Sequence, residues 1–180
     1  MRESIFANSV NDGGILICGA NGSGKTTLGC ALADVLGYRH MDIEAYYFRE
    51  SENPYAAPRT REEVCELLLK DMEQYKNFVF SAVNGDMGER INEKYRLAVF
   101  LSVPLDVRLE RIRNRAYARF GDRVRPGGDL YEQEEKFFAF VAQRSVDHVE
   151  RWIRTLSCPV LFLDGSVSVK ENVKNVQAHL

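Results

Sequence analysis

The stretch Gly19-Ala20-Asn21-Gly22-Ser23-Gly24-Lys25-Thr26 fits a phosphate-binding loop: a glycine, four residues, then Gly-Lys-Thr. The apolar run Ile15-Leu16-Ile17-Cys18 precedes it and reads as a buried strand. Thr26 to Leu36 follows and reads as a helix ended by Gly37. Strand, glycine loop and helix are the context this motif needs. Gly19, Gly22 and Gly24 permit backbone angles that a side chain forbids, so successive N–H groups can converge on phosphate oxygens at the positive end of the helix. Contacts to ATP are therefore expected from Gly19, Ala20, Asn21, Gly22, Ser23, Gly24, Lys25, Thr26 and Thr27. Lys25 should reach the β- and γ-phosphates, and the Thr26 hydroxyl should sit on Mg²⁺. A glycine-rich turn that binds nothing would not need Lys-Thr at those positions.

The remaining composition is that of an ordinary soluble protein. The 180 residues suit one domain, 45% are hydrophobic and 28% charged, and the net charge is −2. A slightly acidic chain argues against general binding to nucleic acid or to an acidic membrane surface. Met1-Arg2-Glu3-Ser4-Ile5-Phe6 lacks a signal-peptide core, and no apolar run approaches a membrane span. Cys18, Cys30, Cys65 and Cys158 have no metal-ligand spacing, and His40, His148 and His179 complete none. Cys18 and Cys30 read as small buried hydrophobes. A reducing cytoplasm is the expected compartment.

Strands and helices alternate throughout, without repeats or linkers. Tyr38 to Met41 reads as a second strand ending at Asp42, followed by a loop with Asn53-Pro54 and Ala57-Pro58. Thr60 with Glu63 forms a capping-box pattern ahead of Val64, Leu67, Leu68 and Met72 at helical spacing. Phe78-Val79-Phe80 and Leu97 to Val103 read as strands three and four. Pro104 opens a helix expected to bury Leu105, Leu109 and Ile112. One long helix is expected through Phe137, Phe138, Val141, Val149 and Trp152, then a fifth strand at Val160 to Leu163 and a helical tail from Ser168. The fold class that follows is α/β: a three-layer arrangement with a five-stranded parallel sheet and helices on both faces. Ligands in such sheets bind beyond the carboxyl ends of the strands, where Cys18, Asp42, Ser81 and Asp164 fall.

Asp42-Ile43-Glu44 reads as an extended segment with both carboxylates on one side. Beside bound ATP, Asp42 could order Mg²⁺ through water or accept a hydroxyl proton, and Glu44 could hold substrate hydroxyls. The bland alternative is a solvated acidic turn. Arg108, Arg111, Arg115 and Arg119 recur at spacings of three, four and four, so they share a helix face, and Arg123 and Arg125 extend the run. Forked guanidiniums suit a transferring phosphoryl group. With Gly127 and Gly128 as hinges, residues 116–130 read as a lid. The alternative is a basic surface pairing with Glu132, Glu134 and Glu135. Arg59 and Arg61 could meet an anionic substrate group or only start a surface helix. Asn84 and Asp86, after the third strand, are further substrate candidates. Ser81 occupies the strand end where many such proteins place a Mg²⁺-ordering Asp.

Together these residues resemble the small-molecule kinases of the adenylate kinase-like superfamily, with shikimate kinase the most similar pattern. Gly24-Lys25-Thr26-Thr27-Leu28-Gly29 resembles that family's loop and helix start, with Gly29 letting the helix sit close to the sheet. Asp42-Ile43-Glu44 is similar to its Asp-x-Asp, whose first acid works at the metal and substrate. Leu109-x-Arg111 with Arg115, then Arg125-Pro126, resembles its nucleotide-contacting helix and lid, and Asp164-Gly165 its adenine-side turn. Ala82-Val83-Asn84-Gly85 departs from the family's triple-glycine substrate loop, and Ser81-Ala82 looks instead like gluconate kinases. The resemblance implies an ATP- and Mg²⁺-dependent kinase acting on a small hydroxylated metabolite. Lys25, Asp42, Arg115, Arg119 and Arg123 would be catalytic, Arg111 and Arg115 would hold nucleotide, and Asp42, Glu44, Arg61 and Asn84 substrate. A nucleoside or nucleotide kinase, or an ATPase switch without an acceptor, remains open. A guanine-reading Asn-Lys-x-Asp and a transporter Leu-Ser-Gly-Gly-Gln are both absent from the sequence.

Overall fold

The computed structural model describes residues 12–48 and 58–180. Five parallel strands form one sheet: β1 (Gly14–Gly19), β2 (Arg39–Asp42), β3 (Phe78–Ala82), β4 (Tyr95–Ser102) and β5 (Val160–Asp164), in the order β2-β3-β1-β4-β5. β1 lies at the centre, paired with β3 on one side and β4 on the other. Every residue of β1 and β3 is buried, which is why they read as unbroken apolar runs rather than alternating ones. Leu16 and Cys18 face a cluster with α3 (Arg61–Tyr75) and α7 (Asp147–Ile153). Ile15 and Ile17 face the other side, under α1 (Lys25–Leu36) and α8 (Val169–Gln177). The sheet is therefore covered on both faces. Helices α5 (Leu105–Phe120) and α6 (Tyr131–Gln143) close a third cluster of their own through Ile112, Ala116, Phe138 and Val141.

Helix starts follow local chemistry. The capping box forms as read: the Glu63 N–H donates to Thr60 Oγ1 at 3.2 Å, and the Thr60 N–H to Glu63 Oε2 at 2.8 Å. Gly37 ends α1 in the left-handed conformation. Ser168 caps α8.

Four expectations change. Asp42-Ile43-Glu44 is not an extended pair, because Asp42 ends β2 and caps a short helix α2 (Ile43–Tyr47) that contains Glu44. Arg59 fixes the other end of that helix, donating to the carbonyls of Tyr46 at 2.8 Å and Phe48 at 3.2 Å. A five-residue helix shows too little periodicity to be read from sequence, as does α4 (Glu89–Asn92). The expected long helix is two helices. Arg144 turns extended, and the Ser145 hydroxyl accepts the Asp147 N–H at 3.1 Å, so a local side-chain bond replaces the helical one. Leu105 is 39% exposed, because α5 packs on α6 through Ile112 and Ala116, further along its length. Cys30, read as buried, is exposed. The loop expected at Asn53-Pro54 and Ala57, and the N-terminal hexapeptide, lie outside the described residues.

α1 passes against β2 and β3 at Gly29. A Cβ there would meet His40 Nε2 at 2.6 Å and run into Ser81 Oγ. Gly29→Ala should therefore destabilise the protein despite its better helix propensity. Overpacking costs about 1–3 kcal/mol and propensity returns about 1. The net cost of up to about 2 kcal/mol should lower the thermal unfolding midpoint by up to roughly 8 °C for a chain of this size. An unchanged midpoint would mean that α1 can withdraw from the sheet without penalty.

Candidate active site

The phosphate loop leaves β1 and enters α1 with Gly22 at φ +81° and Gly24 at φ +95°. A Cβ on Gly22 would lie 2.7 Å from the Arg108 carbonyl, so the loop also packs against the start of α5. Gly24 caps α1 without a side-chain bond, and no acidic residue stands in the first turn. The free N–H groups and the helix dipole are thus left for an anion. Lys25 Nζ donates to the Ala20 carbonyl at 2.9 Å, across the loop. Desolvation lowers the Lys25 pKa to about 8, with Asp42 and Glu44 acting to raise it and Arg115 to lower it. Burial pushes the Cys18 thiol behind it up to about 12, so Cys18 stays protonated.

At the second residue of α1, Thr26 Oγ1 donates to Asp42 Oδ2 at 2.7 Å, and the Glu44 N–H donates to Asp42 Oδ1 at 3.0 Å. Both carboxylate oxygens are thereby oriented. Ser81 is the register partner of Asp42 on β3. Its hydroxyl lies 3.0 Å from His40 Nε2 and donates to the Lys25 carbonyl at 3.3 Å, while His40 Nδ1 meets Cys30 Sγ at 3.3 Å. Burial holds His40 below the usual imidazole range, which suits a neutral ring bridging a thiol and a hydroxyl. A hydroxyl and a carboxylate are hard oxygen donors, the set that Mg²⁺ takes alongside phosphate oxygens and water. Among the described residues no group of three or more His, Cys, Asp and Glu could cage a metal alone. The residues present fit a Mg²⁺ held jointly with a nucleotide.

The arginines divide. Arg108 donates to the Asn21 carbonyl at 3.3 Å, and Arg111 to the Gly165 carbonyl at 3.0 Å beyond β5. Arg115 is exposed, and its charge is felt at Lys25. Arg119 stacks 5.0 Å over Phe120. Arg123 is engaged elsewhere, gripping Asp129 with both arms at 2.9 and 2.6 Å, and Arg125 pairs with Asp122 at 3.1 Å. The carboxylates they meet are thus Asp129 and Asp122, rather than Glu132, Glu134 or Glu135. Gly127 has φ +89°, but Gly128 is seated against the Arg123 backbone and donates to the Arg125 carbonyl at 2.8 Å. The segment is a closed knot rather than an open hinge. Arg61 donates to the Asp86 carbonyl at 2.9 Å, and Asn84 Oδ1 accepts the Asp86 N–H at 3.0 Å. Both order the loop after β3.

Sequence reading missed Arg144, whose Nη1 donates to Asn21 Oδ1 at 3.4 Å. It reaches the phosphate loop because the chain breaks between α6 and α7. No motif links positions so far apart in sequence.

A family model described as an AAA domain matches residues 15–137, from β1 into α6. The chain belongs to that family. This AAA domain is 35% identical over 174 residues to the uncharacterized protein YqaC of Bacillus subtilis (strain 168), covering 92% of this chain and 96% of that one. It is 28% identical over 143 residues to shikimate kinase 1, chloroplastic, of Oryza sativa subsp. japonica, covering 74% of this chain and 46% of that one. The crystal structure of shikimate kinase from Bacteroides thetaiotaomicron superposes with TM-score 0.58 at 22% identity, covering 92% of this chain and 97% of that one. The architecture is thus the α/β P-loop kinase fold. No helix among the described residues is long and apolar enough to cross a membrane.

Lys25 gives a pH signature. With its pKa near 8, the free ammonium loses its proton as pH rises through that value, and a bound polyphosphate restores it. Pyrophosphate binding should be strongest below pH 8, weaken above it, and take up protons around pH 8–9. Calorimetry in buffers of different ionisation enthalpy reads that uptake, which should vanish in Lys25→Met. Uptake unchanged in the variant would place the titration elsewhere.

Proposed function

We propose that this protein is a kinase transferring the γ-phosphoryl group of ATP to a hydroxyl of a small metabolite. The observation that carries the reading is the Thr26 Oγ1–Asp42 Oδ2 bond of 2.7 Å, at the first turn of the helix that the phosphate loop opens. A nucleotide-holding hydroxyl and an acceptor-side carboxylate thus share one point. Loop N–H groups and Lys25 hold the phosphates. Thr26 and Asp42 would hold Mg²⁺, which would supply charge neutralisation on the phosphate oxygens. Asp42 takes the acceptor's hydroxyl proton as the acceptor oxygen bonds to phosphorus and the bond to ADP breaks. Glu44, Arg61 and Asn84 orient the acceptor around that carboxylate. Arg111 and Arg115 hold nucleotide, and Arg115 also faces the transferring group.

In this reading the chain is one domain with a lid over about 116–130. Arg119 and Arg123 join the site only when the lid rearranges and Arg123 leaves Asp129. The acceptor is a soluble small molecule, in the cytoplasm, without nucleic acid or membrane. The curated kinase relative and the P-loop kinase fold support transfer over hydrolysis alone.

The test is Mg²⁺-dependent ADP release with shikimate, gluconate, nucleosides and nucleoside monophosphates. Acceptor-dependent release is expected with a hydroxylated metabolite. A nucleoside or nucleotide as the acceptor would favour the corresponding kinase, and release indifferent to every acceptor would favour an ATPase switch. Asp42→Asn should keep ATP affinity within a few-fold while lowering kcat about 10²–10⁴-fold. Full turnover in that variant would remove Asp42 from the chemistry.

A further inference from the structure

In the sheet, β2 is an edge strand bonded to β3 alone. The place of Asp42 against α1 therefore depends on bonds between that strand and the helix. Besides Thr26–Asp42, they run through His40, two residues earlier and so on the same face of β2. The His40 ring lies at the gap that Gly29 leaves in α1, where a Cβ would be 2.6 Å from Nε2. Donors and acceptors along this link admit one arrangement. The Lys25 carbonyl can only accept, so the Ser81 hydroxyl, 3.3 Å away, gives it its single proton. Ser81 Oγ then has no proton for His40 Nε2 at 3.0 Å, and that nitrogen must donate. Burial favours the neutral ring, which carries one N–H, so Nδ1 is an acceptor. Cys30 Sγ, 3.3 Å from Nδ1, supplies the S–H. The protons thus all point one way, from the thiol towards the helix backbone.

We infer that His40 is a positioning residue: held as the Nε2–H tautomer by the Cys30 thiol, it turns the Ser81 hydroxyl onto the Lys25 carbonyl and keeps Thr26 opposite Asp42. The phosphate loop has bonds of its own. The Ser23 N–H donates to the Ala20 carbonyl at 3.2 Å, Lys25 Nζ to the same carbonyl, and Arg108 to that of Asn21. His40 therefore acts on the pair that would hold Mg²⁺, and not on the loop that would hold phosphate. Groups that orient a metal's ligands set its affinity from outside the coordination sphere. The inference rests on the nucleotide and Mg²⁺ reading proposed above, but not on phosphoryl transfer.

Long-range proton–nitrogen NMR of the histidine rings in the ligand-free protein tests the tautomer, with His40→Gln assigning the signal. His40 should show a protonated Nε2 and a bare Nδ1. A protonated Nδ1 overturns the inference and leaves the nucleotide reading untouched. Equilibrium binding of ADP, with Mg²⁺ and with a chelator, tests the role. Mg²⁺ should tighten ADP binding to the wild-type protein. His40→Leu should cut that gain about 3–10-fold, the worth of one hydrogen bond, with metal-free ADP binding unchanged. His40→Gln keeps an N–H donor and should retain the gain. Cys30→Val should cut it too, and because Cys30 is exposed this variant decides if His40→Leu fails to fold by circular dichroism. A gain unchanged in both donor-less variants overturns the inference, as does an equal loss in His40→Leu and His40→Gln. Failure of ADP and pyrophosphate alike to bind the wild-type protein overturns the nucleotide reading and this inference with it.

Discussion

The contact between α1 and the sheet at Gly29 is the constraint on which the site depends. With no Cβ at that position, α1 lies close enough for Thr26 to bond Asp42 and for the Lys25 carbonyl to receive the Ser81 hydroxyl. The same approach brings His40 into a chain from Cys30 to Ser81. The helix dipole, the lysine and the carboxylate are each ordinary on their own. Their value comes from meeting at one helix terminus, where unbonded N–H groups and low local polarity strengthen every charge.

Charge is distributed with the same economy. A chain of net charge −2 gathers Lys25, Arg108, Arg111, Arg115 and Arg144 around or near its phosphate loop. Four of the five are anchored on the chain itself: Arg108 and Arg144 on Asn21, Arg111 on Gly165, and Lys25 on Ala20. Backbone carbonyls and a neutral amide hold these cations without neutralising them, so the positive field remains for an incoming anion. Arg123 and Arg125 are held by carboxylates on the exposed knot after α5. Such pairs are screened by solvent, and they set those two arginines apart from the anchored group.

Much of this was legible because it is local. The phosphate loop, the capping box at Thr60 and the glycine end of α1 depend on residues within a few positions of one another. The five strands showed as apolar runs because both faces of the sheet are covered. What escaped was short or relational. α2 has five residues and exists because Asp42 caps one end while Arg59 holds the other, a residue read as a possible anion contact. The split between α6 and α7 turns on one serine hydroxyl competing with a helical bond, and periodicity on either side of Ser145 gave no sign of it. Arg144 gained its place through that split.

The sequence alone determined the phosphate loop, the parallel sheet with helices on both faces, and the strand ends near which Asp42, Ser81 and Asp164 stand. These follow from backbone geometry and burial, which are written in neighbouring residues. Only the tertiary structure decided which arginines face the loop, and that Asp42 meets Thr26. Those facts depend on the distance between elements far apart in the chain, and that distance is fixed by packing, above all by the missing Cβ of Gly29.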